Sequence, residues 1–232
     1  MKIKKTYSLL LLALTLSVSF RTAVALPSEN VSFKPGQKWL DTNREHINAH
    51  GGGVMFHEGV YYWFGEHKTE GRGGNTTLFG VRCYSSTDLY NWKNEGIALQ
   101  VVENLDSEIT KGAVIERPKV VFNKKTGKYV MWFHLELKGQ GYNAARTGVA
   151  ISDSPTGPFE YIKSFRPNAG TWPLNFKEEW KIETNTSPSE WWTPEWYKYI
   201  KEGGFVRRDF ESGLFLLTMM VKPIIFILLR II

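Results

Sequence analysis

The sequence predicts an all-β fold, a partial β-propeller, and three observations carry this prediction. Short runs of aromatic and branched residues have the length of strands and are separated by turn residues. Four such runs follow one another, and the same order of runs and turns returns about seventy residues later. Each unit has an aromatic residue near its end, as propeller blades of four strands do. The alternative is a β-sandwich built from two unrelated pairs of hairpins.

The first unit begins with "GGGVMFHEGVYYWFGEHK", in which Glu58-Gly59 separates two strands as a hairpin turn. "TTLFGVRCYSSTDLYNWKNEGIAL" supplies two more strands around a Ser-Thr-Asp turn. The second unit repeats this order with "VVFNKKTGKYVMWFHLE", which turns at Thr126-Gly127, and with "TGVAISDSPTGPFEYIKSF". The landmarks that recur are Trp63 and Trp132, Gly80-Val81 and Gly148-Val149, and Tyr90-Asn91-Trp92 and Pro158-Phe159. Two units cannot close a ring, because propellers normally have at least four blades.

The formal net charge of +6 lies at the two ends of the chain. Residues 1–25 carry four basic residues and no acidic ones, and residues 214–232 add Lys222 and Arg230. Residues 26–213, the expected globular part, are therefore formally neutral. This distribution argues against a nucleic-acid partner, because basic charge would have to lie on the folded domain.

Residues 1–25 are typical of a secretory signal peptide, with a Lys-rich start, a short apolar run and Ala23-Val24-Ala25 as a cleavage site. The alternative is a transmembrane anchor, for which the apolar run is too short. Cys83 is the only cysteine, so an intrachain disulfide is excluded. We therefore expect a soluble protein that is secreted or periplasmic.

Residues 171–204 contain five Trp and alternate polar with aromatic residues. Long connections in compact domains are usually functional or disordered. We expect this Trp-rich segment at one face of the propeller, where indole rings could stack on sugar rings. The alternative, in which these Trp residues pack the segment onto its own domain, stays open.

Three segments, "INAHGGGVMFHEGVYYWFGEHK", "IERPKVVFNKKTGKYVMWFH" and "YNAARTGVAISDSPTGPF", resemble the opening blades of glycoside hydrolase family 43. The similarity is greatest to the branch of exo-β-1,3-galactanases. It implies a five-bladed propeller, of which about two blades are present, that hydrolyses O-glycosyl bonds of galactan- or arabinan-type polysaccharide with inversion. This chemistry needs an acid for the leaving oxygen and a base for the attacking water. No cofactor and no metal site are expected.

The resemblance also implies which residues meet the sugar. Glu66 and Glu116 stand where glutamates of the family line the sugar-binding funnel, so both are candidates for the catalytic site. A charged residue in an apolar inner strand must be paired or functional. The structural alternative is ion pairing, of Glu66 with His67 or Lys68 and of Glu116 with Arg117.

His50 stands where commoner members of the family have the aspartate base, and the galactanase-like branch shares this departure. Asp41 is a fallback candidate for the base, with a turn-capping role as its alternative. The sugar contacts expected beside His50 are Asn48, Tyr142 and Trp172.

The general acid of the family is a glutamate on a later blade, in a setting like "EAPA", and this sequence has no such segment. Asp209 in "RRDFESG" matches only the first aspartate of the stretch that carries the pKa-adjusting residue in the family. We therefore expect that the chain as given lacks the catalytic acid and is inactive.

Residues 214–232 form an apolar tail that we interpret as translated out of frame. The bases that encode Met219, Met220 and Val221 must encode Asp-Gly when they are read one base out of frame. Neighbouring codons permit "FVDDDGKAYHIYSS", which resembles the third-blade hairpin of the family. The alternative is a membrane helix, which Lys222 near its centre would disfavour by about 2.5–3.5 kcal/mol.

The leading hypothesis is a secreted, truncated relative of family 43 glycoside hydrolases, with a polysaccharide or oligosaccharide as its partner and no stable membrane span. Two other classes of function remain. One is a non-catalytic carbohydrate-binding fragment, and the other is a membrane-anchored surface protein. The oligomeric state is left open.

Overall fold

The computed structural model describes residues 30–169, except 72, 77, 143 and 144. It contains eight strands and one short 3-10 helix, Gly74–Thr76, within these ranges. The predicted signal peptide at 1–25, the Trp-rich segment with Trp172, and the tail at 214–232 lie outside the described residues. Within the described part, no helix is long and apolar enough to cross a membrane.

The predicted all-β class is confirmed, and the eight strands form two four-stranded antiparallel sheets. In each sheet the strand order follows the chain, because every strand pairs with the next one along the chain. The first sheet consists of β1 (His50–His57), β2 (Val60–Lys68), β3 (Leu78–Ser86) and β4 (Lys93–Gln100). The second consists of β5 (Val114–Asn123), β6 (Lys128–Glu136), β7 (Arg146–Ser152) and β8 (Glu160–Phe165).

The turns use the residues that the sequence predicts for them. Glu58 and Gly59 both have positive φ, at 49° and 83°, and join β1 to β2. Asp88 shapes the turn between β3 and β4 by accepting hydrogen bonds from the backbone nitrogens of Tyr90 and Asn91. Burial opposes ionisation of Asp88, but hydrogen bonds, first from the Asn91 side chain, outweigh it and lower its pKa to about 2.

The internal repeat is confirmed, and each sheet carries the same β-bulge in its first strand. His50 pairs with Glu66 and Gly53 with Phe64, so β1 has one extra residue between these pairs. In the second sheet, Glu116 pairs with His134 and Lys119 with Trp132, which places one extra residue at the equivalent position.

The bulge register corrects two of the predicted landmarks. It aligns Trp63 with Met131, so Trp132 is displaced by one position and lies on the opposite face of its sheet. Val81 aligns with Thr147, so Gly148 is displaced by two positions from Gly80. A one-residue step exchanges the two faces of a strand, and similarity of residue type does not reveal it.

The two sheets pack face to face around the main hydrophobic core. Its fully buried members include Phe64 and Cys83 of the first sheet and Met131 and Phe133 of the second. Complete burial of one such phenylalanine contributes about 1.5–3 kcal/mol before the entropic cost of ordering it. This core fixes β1 against β5, and that contact positions the candidate site.

The second sheet is also apolar on the face turned away from the first sheet. Cross-strand pairing places Val130 beside Ile151 and Trp132 beside Val149 on this face, and the Trp132 ring meets Phe165 at 6.4 Å between centroids. We call these residues, together with Val121, the outer face. Each is partly exposed within the described part of the chain, and Val121 is 38% exposed.

Candidate functional site

The candidate site lies where the first strands of the two sheets meet. His50 begins β1 and Glu66 lies near the end of β2, while Glu116 lies near the start of β5. Antiparallel order puts these positions at the same end of both sheets. The bulge in each strand turns the backbone there, since Gly51 and Arg117 have left-handed φ values of 59° and 53°. The geometry thus brings three of the candidates from the sequence, Glu66, Glu116 and His50, to one end of the two sheets.

Glu66 is almost completely buried, with 2% of its side chain exposed. Its Oε2 atom lies 3.2 Å from Lys68 Nζ and 3.2 Å from His50 Nδ1. Its Oε1 atom accepts a hydrogen bond of 3.2 Å from the backbone nitrogen of Arg117 in the other sheet. Of the two ion pairs weighed from the sequence, the one with Lys68 forms. Glu66 therefore connects both sheets at the site.

These contacts define what Glu66 can still bind. A carboxylate offers about four acceptor positions, and three are used by Lys68, His50 and Arg117. The carboxylate can only accept, so His50 donates from Nδ1, and in the neutral imidazole its Nε2 atom carries a lone pair. The His50 side chain is 66% exposed, which leaves that nitrogen available to a hydroxyl group from outside.

Glu116 occupies the position of β5 that His50 occupies in β1. Its Oε2 atom accepts a hydrogen bond of 3.1 Å from Arg117 Nη1, as the structural alternative predicted. Only 11% of the Glu116 side chain is exposed, whereas 40% of the Arg117 side chain is exposed. The pair therefore presents a guanidinium group outward, with the carboxylate beneath it.

The two sheets hold the same pair of residue types in exchanged positions. In the first sheet the histidine is on the first strand and the glutamate on the second, whereas Glu116 and His134 have the reverse arrangement. His134 is fully buried, and its Nε2 atom lies 3.2 Å from Glu136 Oε1. The predicted contact residue Tyr142 lies over this histidine, with 5.6 Å between ring centroids. Tyr142 is thus placed at the same end of the second sheet as Glu116.

Lys119 lies beneath the site, between the two bulges. It is 9% exposed, and its Nζ atom lies 3.2 Å from the carbonyl oxygen of Gly52 in the other sheet. The carbonyl oxygens of Arg117 and Pro118 lie 3.4 Å from the same nitrogen. Burial, followed by the charge of Arg117, lowers the pKa of Lys119 to about 8, and Glu66 opposes this shift.

Two of the predicted site residues, Asn48 and Asp41, have structural roles. The Asn48 side chain bonds both backbone groups of Lys68, at 2.7 Å and 3.1 Å, and so fixes the end of β2. Asp41 accepts hydrogen bonds from the backbone nitrogens of Asn43 and Glu45, which is the turn-capping alternative. The turn of Asp41 lies beside Trp92, where β4 begins, at the other end of the sheet from Glu66.

The sequence analysis missed Lys119 and His134, and it assigned Arg117 only a pairing role. Pro118 inside an apparent strand was the available signal, because proline in a sheet is found at edges and bulges. Within residues 30–169, leaving aside the four omitted positions, no three or more His, Cys, Asp or Glu side chains are arranged to hold a metal ion.

Comparison with solved structures identifies similar proteins. A GH43 β-1,3-galactosidase determined with galactodeoxynojirimycin is 56% identical to this chain, with a TM-score of 0.64. The match covers 78% of this chain and 52% of that one. The predicted resemblance to glycoside hydrolase family 43 is thereby confirmed, and the structural neighbours are glycosidases.

Two exo-β-1,3-galactanases are similar over a shorter part. The enzyme from Phanerochaete chrysosporium, determined with β-1,3-galactotriose, is 41% identical with a TM-score of 0.52, covering 57% of this chain and 29% of that one. The enzyme from Clostridium thermocellum is 42% identical with a TM-score of 0.51, covering 58% and 27%. The chain thus spans about half of the length of the first structure and under a third of the other two. No family profile and no curated protein matches the chain.

Proposed function

We propose that this chain supplies the sugar-binding half of a glycosidase site for β-1,3-linked galactan. The observation that carries the proposal is the buried carboxylate of Glu66, which joins both sheets and keeps about one acceptor position for a sugar hydroxyl. The similarity to galactan-acting enzymes supports the choice of sugar. The full architecture that we propose is the five-bladed propeller of the family, of which the two sheets are the first two blades.

The roles of the residues follow from what each one presents. Glu66 accepts a hydroxyl proton, and His50 accepts another through Nε2. Arg117 donates to sugar oxygens from its exposed guanidinium, and Glu116 orients that guanidinium from below. Tyr142 extends the site along the second sheet. Such contacts bind and orient a sugar ring, which is the part of catalysis that depends on positioning.

Inverting hydrolysis also needs a carboxylic acid that gives its proton to the leaving oxygen. Lys68 compensates the negative charge of Glu66, and Arg117 compensates that of Glu116. Both carboxylates are therefore better suited to accept hydrogen bonds than to donate a proton. We propose that the acid belongs to neither of these residues, and that the 232-residue chain by itself binds galactan without cleaving it. Residues 1–25 would direct it out of the cytoplasm.

The alternative of a dedicated carbohydrate-binding fragment rests on a different observation, namely the five Trp residues of the segment 171–204, whose indole rings could stack on sugar rings. Both functions require the same sugar contacts. They differ in whether supplying the remaining half of the enzyme yields turnover.

Calorimetric titration of the full chain with β-1,3-galactotriose tests the proposal, with a xylose trisaccharide as the sugar control. We expect binding of the galactan sugar alone, and weakening by roughly tenfold or more in Glu66→Gln, since hydrogen bonds to charged groups contribute about 1.5–3 kcal/mol. Glu95→Gln, on the outer strand of the first sheet, is the matched control and should bind normally. Equal binding by Glu66→Gln would refute the proposed site.

A further inference from the structure

Lys119 connects the two sheets at the base of the candidate site, but its amine does not face the sugar. Its Nζ atom lies 3.2 Å from the carbonyl oxygen of Gly52, in the bulge of β1. The same atom lies 3.4 Å from the carbonyl oxygens of Arg117 and Pro118, in the bulge of β5. One amine therefore bridges both bulges.

The sequence of β1 leaves space for this lysine. A Cβ atom at Gly53 would lie 2.6 Å from Lys119 Cδ and 3.1 Å from the carbonyl oxygen of Pro118. Real Cβ atoms do not approach other atoms so closely, so glycine at this position forms the slot for the lysine stem. Gly53 and Lys119 also occupy equivalent places in the two bulges, so the slot in one sheet receives the side chain of the other.

The two bulges are the parts of the backbone that present the sugar contacts. The bulge of β1 follows directly after His50, and the bulge of β5 contains Arg117, whose nitrogen donates to Glu66 Oε1. Lys119 holds the carbonyl group of this same Arg117. We propose that Lys119 is a positioning residue, which holds the two bulges in the one relative placement that brings His50, Glu66 and Arg117 to a common sugar. This inference rests on the proposed sugar site and adds a residue that does not touch the sugar.

Replacement of Lys119 should give different results for a purely structural role and for a positioning role. Replacing the buried amine by methionine removes the cost of burying its charge, but it also leaves the carbonyl oxygens of Gly52, Arg117 and Pro118 without this donor. A positioning role requires sugar binding to weaken at the same time. A loss of affinity under conditions where the variant is fully folded therefore shows that Lys119 acts on the site.

The pH dependence of sugar affinity gives a second test of the role of Lys119. A protonated amine forms hydrogen bonds about twice as strong as those of a neutral amine. The charged groups that act on Lys119 are Arg117 on its own strand and Glu66 on β2. His50, Glu116 and His134 are the other titratable groups that pair at the ends of the two bulges. The pKa of Lys119 is about 8, so its amine loses its proton within the pH range in which binding can be measured. Affinity for a neutral sugar should decline as the pH rises through this value.

The experiment uses the full chain and its Lys119→Met variant, with β-1,3-galactotriose as a probe that does not titrate. We expect Lys119→Met to bind roughly tenfold more weakly at pH 7, to lose the decline of affinity near pH 8, and to remain fully folded at the temperature of the titration. Lys93→Met, at an exposed lysine of β4, should leave all three properties unchanged.

Restoration of the amine separates positioning from packing. Lys119→Cys treated with 2-bromoethylamine carries an amine at nearly the same distance from the backbone. Cys83→Ala in the same chain leaves the introduced cysteine as the only thiol, so that the buried position can be alkylated in denaturant before refolding. Affinity and its pH dependence should return after alkylation.

Amide hydrogen exchange at Arg117 completes the test, because it needs no sugar. Loss of the Lys119 contact should accelerate exchange of this amide, which bonds to Glu66. If the unmodified chain fails to bind galactotriose, the proposed function is wrong, and Arg117 exchange alone still decides the role of Lys119. Wild-type affinity in Lys119→Met, or unchanged exchange at Arg117, would overturn the inference.

Discussion

The backbone nitrogen of Arg117 donates a hydrogen bond of 3.2 Å to Glu66 Oε1, across the boundary between the two sheets. Arg117 has a left-handed φ of 53°, a conformation that few non-glycine residues adopt. Such backbone geometry is held by its surroundings, and it is most frequent where a protein binds or reacts. The site therefore depends on the docking of one sheet against the other, rather than on either sheet alone.

Glu116→Gln should weaken sugar binding without unfolding the protein. The amide is isosteric, but it loses the charge that orients the Arg117 guanidinium. We expect a roughly fivefold to tenfold loss of affinity for β-1,3-galactotriose, measured by calorimetric titration. Glu103→Gln, at an exposed ion pair, is the control. A loss of affinity in both variants would point to a general charge effect.

The contribution of Lys119 to the stability of the chain should increase with pH between about 8 and 10. Lys119 has a folded pKa of about 8 against 10.5 when unfolded, so over this range the unfolded state binds more protons and unfolding becomes less favourable. The full effect corresponds to about 3 kcal/mol in the free energy of unfolding. Denaturant titrations at several pH values measure it, and Lys119→Met should remove the slope.

The upper limit of that pH range has its own cause. Burial, first of all, raises the pKa of Cys83, and also of the tyrosines Tyr161, Tyr62, Tyr84 and Tyr129. Groups that resist ionisation in the folded state lose their stabilising contribution once the pH exceeds the unfolded value, which is about 8.5 for cysteine and about 10 for tyrosine. A rising slope that persists in Lys119→Met below pH 10 would show that another group is responsible.

Tyr161→Phe should destabilise the second sheet by about 1–2 kcal/mol. The Tyr161 hydroxyl donates to Glu108, which also pairs with Arg146 at 2.6 Å and accepts from Ser164. Burial opposes ionisation of Glu108, but the hydrogen bonds from Tyr161 and Ser164 outweigh it and lower its pKa. Urea unfolding measures the change, with Tyr61→Phe as the matched control. Equal stability of both variants would mean that the network contributes nothing.

Much of the fold could be predicted because its signals are local. Hairpin turns such as Glu58-Gly59 depend on a few adjacent residues, and repeated spacing reveals two units of four strands. Register could not be predicted, because each bulge adds one residue and exchanges the faces that follow it. This is why Trp132 was matched to Trp63 although the two lie on opposite faces of equivalent strands.

The candidate site was predicted in part for a similar reason. Glu66 and Glu116 interrupt apolar strands, and such residues are visible in a sequence. The bridging contact of the Lys119 amine becomes visible only when the two sheets are docked. The exchanged positions of His50 and His134 become visible only when the register of each sheet is known. Asp41 had equally polar neighbours in the sequence, and only the structure separates its turn from the site.

The outer face should make the chain self-associate. A sheet that is apolar on both faces requires a covering layer, and the outer face is partly exposed within the described residues. Val121→Lys should therefore reduce association in size-exclusion chromatography with light scattering, whereas Val31→Lys, near the start of the described chain, should not. A monomeric unmodified chain with a sharp cooperative melt would count against this account.

Sugar release from β-1,3-galactan by the purified 232-residue chain tests the central claim most directly. The account places sugar contacts on Glu66, His50 and Arg117 and the proton donor elsewhere, so it predicts binding of galactotriose with no detectable galactose after prolonged incubation. Loss of a general acid removes about 10²–10⁴-fold in rate, which is enough to silence the reaction in this assay. Clear turnover that disappears in Glu116→Gln would contradict the account, because it would place the acid within these two sheets.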